Sequence, residues 1–183
     1  MELIQTELQD CFILKPTIHR DDRGYFFESY NATTFQKLSG KSLQFIQDNQ
    51  AMSDYGTIRG LHFQRGEYAQ AKLVRVLQGS ILDVAIDLRK NSPSYLKHIA
   101  VELNEKNQLQ LFVPRGFAHG YSVLEQNTVV AYKCDNVYHK QAESGLLYCD
   151  PLFNIDWQIP SDKHIISEKD KAWKTVSETE IDF

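Results

Sequence analysis

Short β-branched and aromatic stretches, separated by turn residues, make up most of the chain from Cys11 to about Cys134. This pattern is typical of an all-β sandwich or barrel. The clearest pair of stretches, 72–77 and 81–87, is joined through residues 78–80, where Gly79 can supply a positive φ. The pattern therefore predicts a β-hairpin at this point.

Two short helices interrupt the strand pattern. One is predicted from Ala32 to Leu38, with Asn31 as the N-cap and Gly40 just past the end. A second, near the C-terminus, is opened by Ser167. Neither is long enough to organise the fold, and no linker or repeat divides the chain. We therefore expect one domain over residues 1–183.

Strand alternation places several reactive side chains on inward faces. Lys72 shares a face with the neighbouring valines of its strand, where a lysine would cost free energy unless it had a purpose. By the same alternation, His119 and Tyr132 lie among aromatic and β-branched residues that belong to a core. Together with His62, they are expected to project into one apolar barrel interior.

Composition narrows the class of protein. A hydrophobic content of 42% suffices for one core, and a net charge of −4 removes any general electrostatic basis for gripping nucleic acid. No apolar run is long enough to span a bilayer, and the N-terminus lacks an export pattern, so a cytoplasmic protein without membrane contact is expected. Three scattered cysteines suggest neither a disulfide framework nor a thiolate metal site.

Each candidate side chain also has an ordinary structural interpretation. His62 could be a hydrogen-bonded, partly buried histidine, and a Ser-x-x-Asp box from Ser167 explains Asp170 as a helix-start residue without catalysis. Ordinary roles also exist for Tyr132 and Tyr138 as strand aromatics, Lys72 as a snorkelling side chain and Arg23 as a turn charge. The coincidence of an inward lysine, histidine and tyrosine, with Arg23 and Arg59 available for an anion, favours a functional site.

A series of short motifs runs in order from about Ile13 to Asp170. The motifs are Arg23-Gly-Tyr-Phe-Phe-Glu28, Phe45-Ile-Gln-Asp-Asn49, Arg59-Gly-Leu-His-Phe-Gln64, Gln70-Ala-Lys-Leu-Val-Arg75, Asp83-Val-Ala-Ile-Asp-Leu-Arg89, Val113-Pro-Arg-Gly-Phe-Ala-His-Gly120, Tyr132-Lys-Cys-Asp135 and Ser167-Glu-Lys-Asp170. Together they resemble the dTDP-4-dehydrorhamnose 3,5-epimerases, a family of nucleotide-sugar enzymes. The resemblance implies a cupin-like jelly-roll and a homodimer.

The resemblance also implies a role for particular side chains. His62 corresponds to the family's base, Asp170 to the carboxylate that orients it, Tyr132 to the proton donor and Lys72 to the residue that steadies the enolate. The residues implied in substrate binding are Arg23, Phe26, Glu28, Gln47, Asp48, Asn49, Arg59, His119, Tyr138, Glu143 and Lys169, with Phe26 and Tyr138 as aromatic walls.

The reaction that the resemblance implies, epimerisation at carbons 3 and 5 of a 4-keto sugar nucleotide, is sound on physical grounds. Carbons 3 and 5 of a 4-keto sugar both flank the carbonyl, so loss of either proton gives an enolate delocalised onto the keto oxygen. A neutral imidazole backed by a carboxylate can act as the base, and inversion then needs an acid on the opposite face. This chemistry requires no redox, metal or covalent cofactor.

Three alternatives remain at this point. A metal-binding cupin would fit the Pro114 to His119 segment, but the Leu61-His62-Phe63-Gln64 segment offers one histidine where such a site needs two. A non-catalytic sugar-binding module would keep Arg23 and Arg59 without needing His62 and Tyr132. An enzyme that inverts carbon 3 alone would carry much the same residues.

Overall fold

The structure is a computed structural model that describes all residues 1–183. Thirteen strands and two helices succeed one another along the chain. Their bounds are β1 Glu2–Gln5, β2 Phe12–Lys15, β3 His19–Asp21, β4 Gly24–Phe26, α1 Ala32–Ser39, β5 Gln47–Ser53, β6 Ile58–Gln64, β7 Lys72–Gln78, β8 Ser80–Asp87, β9 His98–Asn104, β10 Gln110–Val113, β11 Phe117–Val123, β12 Thr128–Cys134, β13 Glu143–Gly145 and α2 Glu168–Lys171.

Two antiparallel sheets account for all but two of the strands. The first has six strands in the order β1-β2-β10-β7-β12-β5, and the second has five in the order β13-β6-β11-β8-β9. Strands β3 and β4 form a separate two-stranded ribbon. This two-sheet architecture confirms the predicted all-β class.

The prediction of a β-hairpin around Gly79 was wrong. β7 pairs with β10 and β12 in the six-stranded sheet, whereas β8 pairs with β9 and β11 in the other, so the chain changes sheets at this glycine. Gly79 has a φ of 78°, and a Cβ there would lie 2.3 Å from the Thr128 hydroxyl oxygen. Gly79 does reverse the chain, but β7 and β8 then pack face to face across the core, where Val74, Val76, Ile81 and Ala85 belong to one buried cluster.

The main core lies between the sheets, as the alternation predicted. Val74 and Val76 of β7 and Val130 of β12 pack there against Phe117 and Tyr121 of β11. All five are at most 5% exposed. The inward faces of these strands are therefore the ones that also carry the candidate catalytic residues.

Both predicted helices are present. The Asn31 side chain accepts a hydrogen bond from the Thr34 backbone amide at the start of α1. The helix ends at Ser39, one residue later than predicted, and Gly40 follows it with a φ of 68°. Ser167 caps α2 by accepting from the Asp170 backbone amide. None of the helices in the structure is long and apolar enough to cross a membrane.

Candidate active site

A cavity of about 550 Å³ brings together seven of the sequence-predicted residues. Side chains from both sheets and from the C-terminal segment line it, so its walls join parts of the chain that are distant in sequence. The predicted residues among its lining are Arg59 and His62 from β6, Lys72 from β7, His119 from β11, Tyr132 from β12, and Lys169 and Asp170 from α2.

His62 and Asp170 form a close pair at this cavity. The His62 Nε2 lies 2.5 Å from the Asp170 Oδ1, and the aspartate side chain is only 6% exposed. Burial raises the pKa of the Asp170 carboxyl, but the hydrogen bond and charge of His62, together with hydrogen bonds to Gly60 and Ser167, outweigh it and hold that pKa below its ordinary value. The pair is therefore an imidazole backed by an ionised carboxylate.

The competing interpretation of Asp170 as a helix-start residue is accurate but incomplete. Ser167 caps the Asp170 amide, and the Asp170 Oδ1 atom also lies against His62 Nε2. The Ser-x-x-Asp box and the contact with His62 therefore coexist, because they use different atoms of the same residue.

A second histidine and carboxylate pair lies deeper in the cavity. The His119 Nε2 is 2.7 Å from Asp83 Oδ1, and Asp83 is completely buried. Burial lowers the pKa of His119, against the opposing charge and hydrogen bond of Asp83. Sequence reasoning did not select Asp83 for a role, although a carboxylate in the middle of an apolar strand was an available signal.

Two glycines let the strands that carry these histidines approach each other. A Cβ on Gly60 would lie 2.6 Å from the Gly120 Cα, and one on Gly120 would lie 2.7 Å from the Arg59 carbonyl oxygen. His62 and His119 are direct partners across β6 and β11, and the register shifts just beyond them. The close approach therefore places both imidazoles side by side.

Lys72 and Tyr132 enter the cavity from the six-stranded sheet. Burial lowers the pKa of the Lys72 ammonium, against the opposing effect of nearby acidic groups that include Asp83 and Glu143. Burial also raises the pKa of Tyr132, so its phenol holds its proton at neutral pH. His62 belongs to the five-stranded sheet, so Tyr132 and His62 reach the cavity from opposite walls.

Four further predicted residues line an adjoining pocket of about 160 Å³, which shares His62, Lys72 and Tyr132 with the main cavity. They are Gln47, Asn49, Tyr138 and Glu143. The Tyr138 hydroxyl donates to Glu143 Oε2 at 2.9 Å, and the Lys169 ammonium donates to Glu143 Oε1 at 2.6 Å. The pocket thus continues the cavity into a polar subsite with an aromatic wall.

The remaining predicted residues do not line the cavity. Asp48 points to the other side of β5, where it pairs with Lys133 at 2.9 Å. Arg23 lies on the exposed turn between β3 and β4 and pairs with Asp21, while Phe26 at the end of β4 is 72% exposed. Glu28 accepts a hydrogen bond from Asn31. Within one chain, the structure leaves these four away from His62.

Nothing in the structure assembles a metal site. No group of three or more histidine, cysteine, aspartate or glutamate side chains is placed to hold an ion. The two inner imidazoles instead each direct Nε2 to a carboxylate.

Comparison with known proteins identifies the family. The family model of dTDP-4-dehydrorhamnose 3,5-epimerase matches residues 5–178. The dTDP-4-dehydrorhamnose 3,5-epimerase of Methanothermobacter thermautotrophicus is 46% identical over 179 residues, which cover 97% of this chain and 96% of that protein.

Solved structures lead to the same group. The dTDP-4-dehydrorhamnose 3,5-epimerase of Elizabethkingia anophelis superposes with a TM-score of 0.94 at 48% identity, covering 97% of each chain. The dTDP-6-deoxy-D-glucose-3,5-epimerase of Legionella pneumophila, solved in complex with dTDP-4-keto-L-rhamnose, superposes with a TM-score of 0.94 at 38% identity, covering 98% of this chain and 94% of that one. The chain therefore belongs to the dTDP-4-dehydrorhamnose 3,5-epimerase family.

Proposed function

We propose that this cavity converts dTDP-4-dehydro-6-deoxy-D-glucose into dTDP-4-dehydro-L-rhamnose, with His62 as the base for carbons 3 and 5 and Tyr132 as the acid. The observation that carries the proposal is the 2.5 Å contact between His62 and the buried Asp170 at the wall of the cavity. A carboxylate at that distance orients the imidazole and stabilises the imidazolium that forms when His62 takes a proton.

Inversion needs proton delivery from the face opposite the base. Tyr132 supports this role because it reaches the cavity from the other sheet and because burial raises the pKa of its phenol. The two groups thus divide the work: His62 removes a proton from one face of the sugar, and Tyr132 returns one to the other face.

The enolate oxygen needs hydrogen-bond donors. Lys72 and His119 line the same cavity, and a preorganised donor of this kind is typically worth about 2.7–4 kcal/mol of transition-state stabilisation. Burial disfavours the charged form of Lys72 and so lowers its pKa, and a negative oxygen that develops beside the ammonium compensates for this cost. Lys72 therefore stabilises the enolate more than the ground-state ketone.

The nucleotide end of the substrate spans the main cavity, which Arg59 and Lys169 line, and the adjoining polar subsite, which Tyr138 lines. Arg59 and Lys169 supply positive charge for the diphosphate, and Tyr138 supplies an aromatic face for the base. Because the substrate is a polyanion that cannot cross a bilayer unaided, we place the reaction in the cytoplasm.

In our proposal, a second copy of the chain completes the site by supplying Arg23, Phe26 and Glu28. The ribbon of β3 and β4 is exposed and lies away from its own cavity, although its motif belongs to the substrate-binding set. A homodimer in which each ribbon reaches the cavity of the other copy satisfies both facts.

Proton NMR of the substrate in deuterated water tests the reaction. The wild-type protein should exchange the protons on carbons 3 and 5 and yield the inverted sugar. The His62→Ala variant should lose both exchange and inversion by at least about a hundredfold, because no enolate forms. Exchange at carbon 3 alone would show a 3-epimerase, and unimpaired exchange in His62→Ala would remove His62 as the base.

A further inference from the structure

The carboxylate behind His62 has a second donor. Asp170 Oδ1 lies 2.5 Å from the His62 Nε2 and also accepts a hydrogen bond from the Trp173 indole Nε1 at 3.3 Å. Trp173 follows Asp170 by three residues, just beyond the end of α2. The Asp170 Oδ1 atom therefore has two neighbours that can donate to it, the His62 imidazole and the Trp173 indole.

The indole is held in place by the strand beside His62. Gly145 of β13 is the direct partner of His62 across the two strands, and a Cβ on Gly145 would lie 2.6 Å from both Cε2 and Nε1 of the indole. The Trp173 ring thus rests against bare backbone, where any side chain would displace it. The next residue, Lys174, accepts a backbone hydrogen bond from Leu147 at 2.8 Å, which anchors the segment to the same strand region.

A donor on a carboxylate lowers that carboxylate's affinity for a further proton or proton donor. An ionised carboxylate stabilises an imidazolium beside it, yet a general base must be without its proton to act. A second donor on the same oxygen offsets part of this effect and also fixes the direction in which the carboxylate points.

We propose that Trp173 is a positioning residue whose indole N–H holds Asp170 toward His62 and, by donating to the same oxygen, weakens the hold of the carboxylate on the imidazole N–H. The proposal rests on the assignment of His62 as the base. The other charged or titratable groups around His62 lie on β6 itself and on neighbouring elements, and none of them bonds to the indole N–H. They are Arg59, Lys72, His119, Tyr132, Glu143 and Lys169.

The test compares two matched substitutions. Trp173→Phe keeps an aromatic ring against Gly145 but removes the N–H, and should move the acid limb of the kcat/KM profile to higher pH by about 0.5 unit. Trp157→Phe removes an equivalent N–H, which bonds to the Tyr148 carbonyl oxygen outside the cavity. It should leave the profile unmoved, and equal profiles for both variants and the wild type would overturn the proposal.

NMR of the unaltered protein gives a second readout. The chain has two tryptophans, so the two variants assign both indole N–H signals. The Trp173 signal should titrate together with the acid limb and stop titrating in Asp170→Asn, while the Trp157 signal stays constant. A Trp173 signal that ignores pH would refute the hydrogen bond. Loss of activity in His62→Ala tests the base itself, so the two proposals fail separately.

Discussion

Tyr132 and His62 stand on different sheets, and this separation makes their roles separable by experiment. In Tyr132→Phe the base still acts, so deuterium should enter the sugar with retained configuration. The inverted product should fall by about a hundredfold or more, the usual contribution of a general acid. Proton NMR measures both quantities in one sample.

Tyr138→Phe is the matched control, because it removes a hydroxyl that bonds to Glu143 rather than one placed for proton transfer. In this variant exchange and inversion should change together. An equal loss of exchange and inversion in Tyr132→Phe, with circular dichroism showing a native fold, would contradict the assignment of Tyr132 as the acid.

Asp170 gives a prediction about pH. Because its pKa lies below its ordinary value, Asp170 is ionised throughout the neutral range. Asp170→Asn removes the negative charge that favours the imidazolium, so the acid limb should move to lower pH and kcat should fall about 10–100-fold. Were Asp170 only a residue of the helix start, the pH–rate profile of this variant would match the wild type.

At the scale of elements, the C-terminal segment reaches the cavity by pairing with the chain just before β6. Ile165 donates to the Gly56 carbonyl at 2.9 Å, and Ile58 donates to the Ile165 carbonyl at 3.0 Å. A Cβ on Gly56, where φ is 92°, would lie 2.3 Å from the Lys163 carbonyl oxygen. This crossing, the pairing of the chain around Ile165 with the chain around Gly56, lies just before α2 and so sets the position of Asp170.

Gly56→Ala should therefore lower both stability and kcat. We expect a loss of about 1–3 kcal/mol in the free energy of unfolding from the backbone strain, measured by urea denaturation, and a fall in kcat as α2 shifts. Gly40→Ala is the control, since Gly40 also has a positive φ but nothing within 4 Å of an added Cβ. A fall in kcat of the same size in both variants would show that the crossing does not position Asp170.

At the scale of the whole molecule, the proposed dimer makes one site from two chains. Arg23→Ala should raise KM about 10–100-fold, because a charged hydrogen bond to the substrate is lost, and His62→Ala should be inactive. Mixing the two variants under conditions that exchange subunits creates dimers with one intact site, built from the cavity of the first chain and the ribbon of the second. Activity at low substrate should then return to about a quarter of the wild-type value.

The opposite outcome is equally clear. If Arg23 serves the cavity of its own chain, mixing restores nothing, because every site then still carries one of the two substitutions. Light scattering at a single-chain mass across micromolar concentrations would refute the dimer directly.

Much of the fold follows from local sequence. The alternation around Lys72, His119 and Tyr132 identified their inward faces because successive strand residues point to opposite sides of a sheet, a rule that needs no knowledge of the partner strand. The cap at Asn31 and the turn at Gly79 follow from local backbone chemistry in the same way. The motifs identified the family for a similar reason, since they lie within short segments.

Only the tertiary structure decided which elements meet. Gly79 connects two sheets rather than the arms of a hairpin, because strand partners are chosen by apolar burial over the whole sheet. Asp83 meets His119, and Trp173 meets Asp170, through packing between strands and segments distant in sequence. Local preference determines which way a side chain faces along its own element, whereas long-range packing determines what that side chain touches.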